Sequence, residues 1–106
     1  MDANIKKKWL AALRSREFKQ VMGALKRDEG HCCLGVLCEL LEPDALWEKR
    51  STGSYTIRGE GALMPYSLQE RLNLSDSEKE PFAQLPKMND RGKTFEEIAD
   101  FIEVRL

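Results

Sequence analysis

No apolar run in the 106-residue sequence approaches the roughly 18–20 residues needed to cross a bilayer, so a membrane-spanning protein is not expected. Histidine occurs once, at His31, and the only cysteines are Cys32, Cys33 and Cys38. A zinc site on one helix needs ligands three or four residues apart, and His31 alone cannot complete a tetrahedral set with these thiols. Three cysteines also cannot pair completely, which fits reduced thiols and a cytoplasmic setting. No metal and no cofactor is therefore expected. The glycines Gly53, Gly59 and Gly61 form neither a phosphate loop nor a dinucleotide turn and read as turn chemistry. Among the carboxylates, Asp44, Glu48, Glu60 and Asp90 are acid–base candidates only in the sense that any carboxylate is. Repeats, low-complexity tracts and interdomain linkers are absent.

Hydrophobic residues make up 42 % of the chain and charged residues 33 %, an ordinary globular balance, and the length suits one domain over residues 1–106. The net charge of −1 hides a split. Residues 1–27 carry eight Lys or Arg against Asp2 and Glu17, whereas the remainder carries nine basic residues against sixteen acidic ones. Two readings follow. The two ends pack together and offset one another, or Lys6, Lys7, Arg14, Lys19, Lys26 and Arg27 bind the phosphates of a nucleotide or nucleic acid, with Trp9, Phe18 or Trp47 stacking on a base.

Local patterns predict a mainly α, α+β domain: a compact set of helices with a small β-hairpin. In "NIKKKWLAALR", Ile5, Trp9, Ala12 and Leu13 share one helical stripe, with Asn4 as N-cap, and the short apolar patch reads as an amphipathic helix rather than an export signal. Residues 15–25 are ambiguous because Gly23 interrupts a helical spacing, and "RDEG" reads as a turn. Tyr55, Thr56 and Ile57 favour a strand, "RGEG" a turn, and "ALM" the return strand. A short helix follows Pro65, and "SDSEKEP" reads as a solvated loop. At the end, Thr94 and Glu97 have capping-box spacing ahead of a stripe of Phe95, Ile98, Ala99, Ile102 and Leu106. "MNDRGKTFEEIADFIEV" has the look of the opening of a helix-turn-helix, but no recognition helix of comparable length follows in the sequence, so a capped core helix is expected. The core is expected from helices 4–14, 32–42 and 94–105, closed by 67–73 and 82–88.

On a helix, "CCLGVLCELLE" brings Cys33, Val36, Leu37, Leu40 and Leu41 together, with Leu34 and Cys38 on one flank. Free cysteine there behaves as a small hydrophobe. Cys32 falls on the polar flank at the first turn, where open amides favour a thiolate, which makes it the candidate reactive thiol, with His31 as a conceivable base. Gly35 needs a close neighbour to justify its cost in a helix, whether a backbone or a ligand.

The segments "WLAALRS" (9–15), "FKQ" (18–20), "CCLGVLC" (32–38) and "MNDRGKTFEEIADFIE" (88–103) occur in an order that resembles a family of small bacteriophage and bacterial proteins. Residues 44–81 depart from that pattern. The resemblance implies a phage or mobile-element setting and no particular activity, so no catalytic residue follows from it. The leading expectation is a non-enzymatic protein that binds and blocks or modulates a host protein, such as a defence protein, with the carboxylates of 70–103 as an acidic contact surface. The alternatives are a nucleotide or nucleic-acid binder using the basic N-terminal third, and a cysteine-dependent enzyme.

Overall fold

The computed structural model describes residues 1–106 as an α+β domain of five α-helices and two small antiparallel hairpins. Helix α1 spans Ala3–Arg14, α2 Cys33–Leu41, α3 Tyr66–Gln69, α4 Asp76–Asp90 and α5 Phe95–Arg105. A 3-10 turn, Glu70–Leu72, extends α3. Four of the helices form a ring of neighbours in which α1 touches α2 and α5, and α4 touches the same two. One continuous cluster of 21 buried residues fills the ring, drawing on α1, α2, the α3 segment, α4 and α5. No helix is long and apolar enough to cross a membrane.

Helix α2 is enclosed on nearly all sides: every residue from Cys32 to Cys38 is buried. Gly35 explains how a neighbour comes so near. A Cβ at this position would lie 1.8 Å from the Leu25 carbonyl oxygen, so only glycine lets the 20–31 segment cross the helix. From α1, Trp9 is fully buried, and its Nε1 donates to the Cys33 carbonyl at 3.0 Å. Helix α5 follows its pattern closely. Thr94 Oγ1 accepts from the Glu97 amide at 3.1 Å, Glu97 Oε1 accepts from the Thr94 amide at 3.0 Å, and the expected stripe from Phe95 to Leu106 is buried.

Several local expectations are corrected. The N-cap of α1 is Asp2, whose Oδ1 accepts from the Ile5 amide at 2.9 Å, and not Asn4. The segment read as a charged loop, 75–81, is the start of α4. Glu78 Oε1 accepts from the Ser75 amide at 2.8 Å and satisfies an open donor there, while Pro81 is buried and loses only one intrahelical hydrogen bond. The ambiguous stretch after α1 is irregular, with Arg16 at φ 65° and Gly23 at φ 77°.

The hairpins differ from the expected pairing. Strand β1 (Lys26–Arg27) pairs with β2 (Gly30–His31), so "RDEG" is a hairpin turn. Strand β4 (Tyr55–Thr56) pairs upstream with β3 (Glu48–Lys49), not downstream with "ALM". The "RGEG" turn exists: Arg58 and Gly59 both have positive φ, and Ile57 and Glu60 exchange two hydrogen bonds of 2.9 Å. It stops there because the Gly61 carbonyl turns away to accept from the Leu25 amide at 2.7 Å. A bridge between Arg27 and Ser54 joins the two hairpins edge to edge.

Candidate functional site

The structure disperses the basic N-terminal third. Arg14 reaches across to α5, at 2.8 Å from Asp100 and 3.2 Å from Glu103, and those carboxylates hold its pKa up. Lys6 donates to the Glu103 carbonyl at 3.1 Å, and Arg16 lies 3.8 Å from Glu96. Lys7 and Lys19 are exposed on separate segments, α1 and the loop after it. Arg27 is half-buried, with Nε 3.4 Å from the Met22 carbonyl. These residues line no common cleft, and opposite charge on α5 accounts for Arg14. The split in charge along the sequence is thus partly the packing of the two chain ends. Of the aromatics named as base-stacking candidates, Trp9 is in the core, while Phe18 and Trp47 are half-exposed.

Lys26 has a more specific place. Its Nζ lies 5.1 Å from the centre of the Trp47 ring and 5.3 Å from that of Tyr55, with Glu39 Oε2 at 3.8 Å. Glu39, on the outer side of α2, also accepts from Trp47 Nε1 at 2.6 Å and lies 3.2 Å from His31 Nε2. Since the carboxylate can only accept, the imidazole carries its hydrogen at Nε2. Burial pushes the His31 pKa down, and this outweighs the opposing pull of Glu39. Phe18 packs edge-on against His31 with ring centres 5.2 Å apart. The cluster ties both hairpins to α2, with Glu39 as the shared acceptor for Trp47 and His31.

The cysteine expectation is corrected at Cys32. It is the N-cap of α2 and is only 5 % exposed, because the 20–31 segment covers the helix start that sequence reading left open. Burial raises its pKa despite the pull of the Leu34 and Gly35 amides, the opposite of the lowering expected at an open helix start. Cys33 and Cys38 are fully buried, and burial pushes Cys38 up to about 12. His31 turns its ring to Glu39 and Trp47 rather than to a thiol.

Beside α4 the edge of the core meets exposed apolar side chains. Between α4 and residues 63–69 runs a cleft of about 190 Å³, walled by Leu34, Leu63, Met64, Phe82, Ala83 and Pro86. At Gln69 and Lys79 it continues into a polar cleft of about 230 Å³ beside Tyr66, Glu70, Asn73 and Leu74. Leu63 is 56 % exposed and Tyr66 73 %. Pro86 has no N–H to give, so the Phe82 carbonyl at the apolar end lacks its intrahelical partner.

Over residues 1–106 the sequence matches the family described as a domain of unknown function, DUF8296. The chain belongs to that family. No curated protein and no solved structure shows significant similarity to it.

In this DUF8296 chain the distinctive sequence segments meet in one structural clasp. Asn89 Oδ1 accepts from the Cys33 amide at 3.2 Å and from Gln20 Nε2 at 2.9 Å, and its Nδ2 donates to the Val21 carbonyl at 2.8 Å. Asp90 accepts from the Gly23 amide at 2.9 Å. Gln20, Cys33, Gly35, Asn89 and Asp90 are therefore occupied in holding the fold. The cleft beside α4 escaped sequence reading because "ALM" looked like strand and 75–81 like loop. The one available signal was a run of apolar residues around Pro65 with no periodic partner.

Proposed function

We propose that this DUF8296 protein is a non-enzymatic binding protein that docks on another protein and blocks or modulates it. The observation that carries this reading is the cleft between α4 and residues 63–69. It has apolar walls, it is flanked by exposed Leu63 and Tyr66, and it passes at Gln69 and Lys79 into a polar cleft. An interface core needs an apolar or aromatic anchor desolvated in a pocket, with polar groups at the rim. The occupant that fits is a partner segment with one apolar anchor at the Pro86 end and polar residues beyond it. The resemblance to phage and bacterial proteins supports a host protein as that partner.

The expected acidic contact surface is not part of this reading, because most carboxylates of 70–103 already have partners. Asp76 pairs with Lys79, Asp100 and Glu103 with Arg14, and Glu96 with Arg16, while Glu97 caps α5 and Asp90 holds Gly23.

The test places a photo-cross-linking amino acid at position 66, and as a control at position 8, in the protein expressed in bacteria. A discrete adduct at 66 and none at 8 identifies the partner. With that partner purified, Leu63→Asp weakens binding by about tenfold or more, since charging an apolar anchor site loses its burial. Thermal unfolding of this exposed variant should be unchanged. Absence of a discrete adduct at 66, or full affinity in Leu63→Asp, overturns the proposal.

A further inference from the structure

The opposite flank of α4 carries a second cleft of different chemistry. Its volume is about 320 Å³, and its lining is Gln84, Lys87, Met88, Arg91 and Lys93. Gln84, Lys87 and Arg91 stand one above another because residues three and four apart share a helix face. The turn into α5 then brings Lys93 back beside them. Gly92, at φ 93°, lets the chain reverse, and the Lys93 amide donates to the Met88 carbonyl at 3.0 Å. From the other side, Gln20 Nε2 donates to the Lys93 carbonyl at 2.8 Å and fixes the turn. Three cations thus surround one cleft on a pinned backbone.

Their charge is poorly offset, although acidic residues outnumber basic ones almost two to one after residue 27. Lys87 and Arg91 make no ion pair, and Lys93 has only Glu97 Oε2 at 3.8 Å, between exposed side chains. Asp90, the nearest carboxylate in sequence, is turned to the Gly23 amide. The C-terminus of α4 favours a cation in its last turn, but that gain is small at an exposed surface and does not call for three cations whose like charges repel one another. An anion would gain a great deal: Arg91 offers a planar fork for two oxygens, the lysines offer point charges, Gln84 offers an amide donor, and Met88 supplies an apolar wall.

We infer that the Gln84–Lys93 cleft binds a phosphate ester or diphosphate through Lys87, Arg91 and Lys93. This site is separate from the apolar cleft of the proposed function and stands or falls independently of it. It also moves the anion-binding role from the N-terminal third to the α4–α5 turn.

The test titrates ¹⁵N-labelled protein at low ionic strength with sodium pyrophosphate, and separately with a short single-stranded oligonucleotide. The expected result is saturable shifts confined to amides around 84–94, with the tighter of the two probes naming the source of the phosphate. Lys87→Ala/Arg91→Ala should weaken binding about tenfold or more, because two charge-assisted hydrogen bonds are lost. Lys7→Ala/Lys8→Ala, with the same change in net charge, should leave binding unaltered. Both pairs are exposed, and unfolding curves verify that they fold. If neither probe moves the 84–94 amides, or if the two double variants lose binding equally, the site does not exist.

Discussion

The Asn89 side chain accepts the Cys33 backbone N–H at 3.2 Å, so the last turn of α4 supplies the cap that the first turn of α2 lacks in its own sequence. Cys32, at the N-cap, makes no side-chain capping bond, and a cysteine there is a poor acceptor in any case. Asn89 is fully buried and uses both ends of its amide, on Cys33 and Gln20 with the oxygen and on Val21 with the nitrogen. Asn89→Ala leaves the Cys33 amide and the Val21 carbonyl without that partner in a buried place. The expected loss is about 3 kcal/mol, measured as a drop in urea midpoint at unchanged slope. A loss below about 1 kcal/mol would show that water replaces the amide and that the clasp is not structural.

Gly35→Ala tests the crossing of α2 by the 20–31 segment. A methyl group placed 1.8 Å from the Leu25 carbonyl oxygen has no flexible side chain to push aside, since the obstacle is backbone. Helix propensity alone would favour alanine by about 1 kcal/mol, so the steric term must reverse the sign. The expected result is a destabilisation of about 3 kcal/mol or more, or failure to accumulate as soluble protein. A variant at least as stable as the parent would mean that the segment moves freely off the helix.

How much of this was legible in the sequence depends on where the deciding contacts lie. Helix α5 was readable because its cap, Thr94 with Glu97, and its stripe are both local. The burial of the cysteine helix was readable for the same reason, through Val36, Leu37 and Leu41. Helix α4 was not, because Pro81 and a run of charges hid a start secured by Glu78. The partner of Tyr55 was misplaced since two-residue strands have no periodicity, and the strand it joins lies upstream at Glu48–Lys49. The burial of Cys32 was not legible because the segment that covers it is irregular and is held there through the Leu25 carbonyl and Asn89. The α4 clefts were the least legible, as each needs two elements to exist before its residues are neighbours.

The thiols give a direct measure of how tightly that segment closes. Burial raises all three pKa values. Thiolate fraction falls about tenfold per unit, and a covered sulfur is also hidden from reagent. Native protein at pH 8 should therefore react with iodoacetamide about 100-fold more slowly than protein in urea, with all three sites protected, read by mass spectrometry. Rapid single labelling at Cys32 in the native state would show that the helix start opens and would restore it as a reactive thiol.

Protonation of His31 should cost the folded protein stability on the acid side. The His31 pKa in the folded protein is lowered from the ordinary value of 6.5, mainly by burial, with Lys26 adding to the effect and Glu39 opposing it. The unfolded chain therefore binds the proton more readily than the folded one, and stability must rise with pH in the window below 6.5. The contribution is complete above the unfolded pKa and is lost as pH falls toward the folded one. Urea midpoints measured between pH 5 and 7.5 should decline on the acid side of 6.5 in the parent protein. His31→Gln retains a donor toward Glu39 but no titrating group, so its midpoint should be flatter over the same range. Equal slopes in the two proteins would mean that another group titrates there. A parent protein that instead gains stability on acidification would reverse the sign, and would show that the pull of Glu39 on the protonated ring exceeds the cost of burying it.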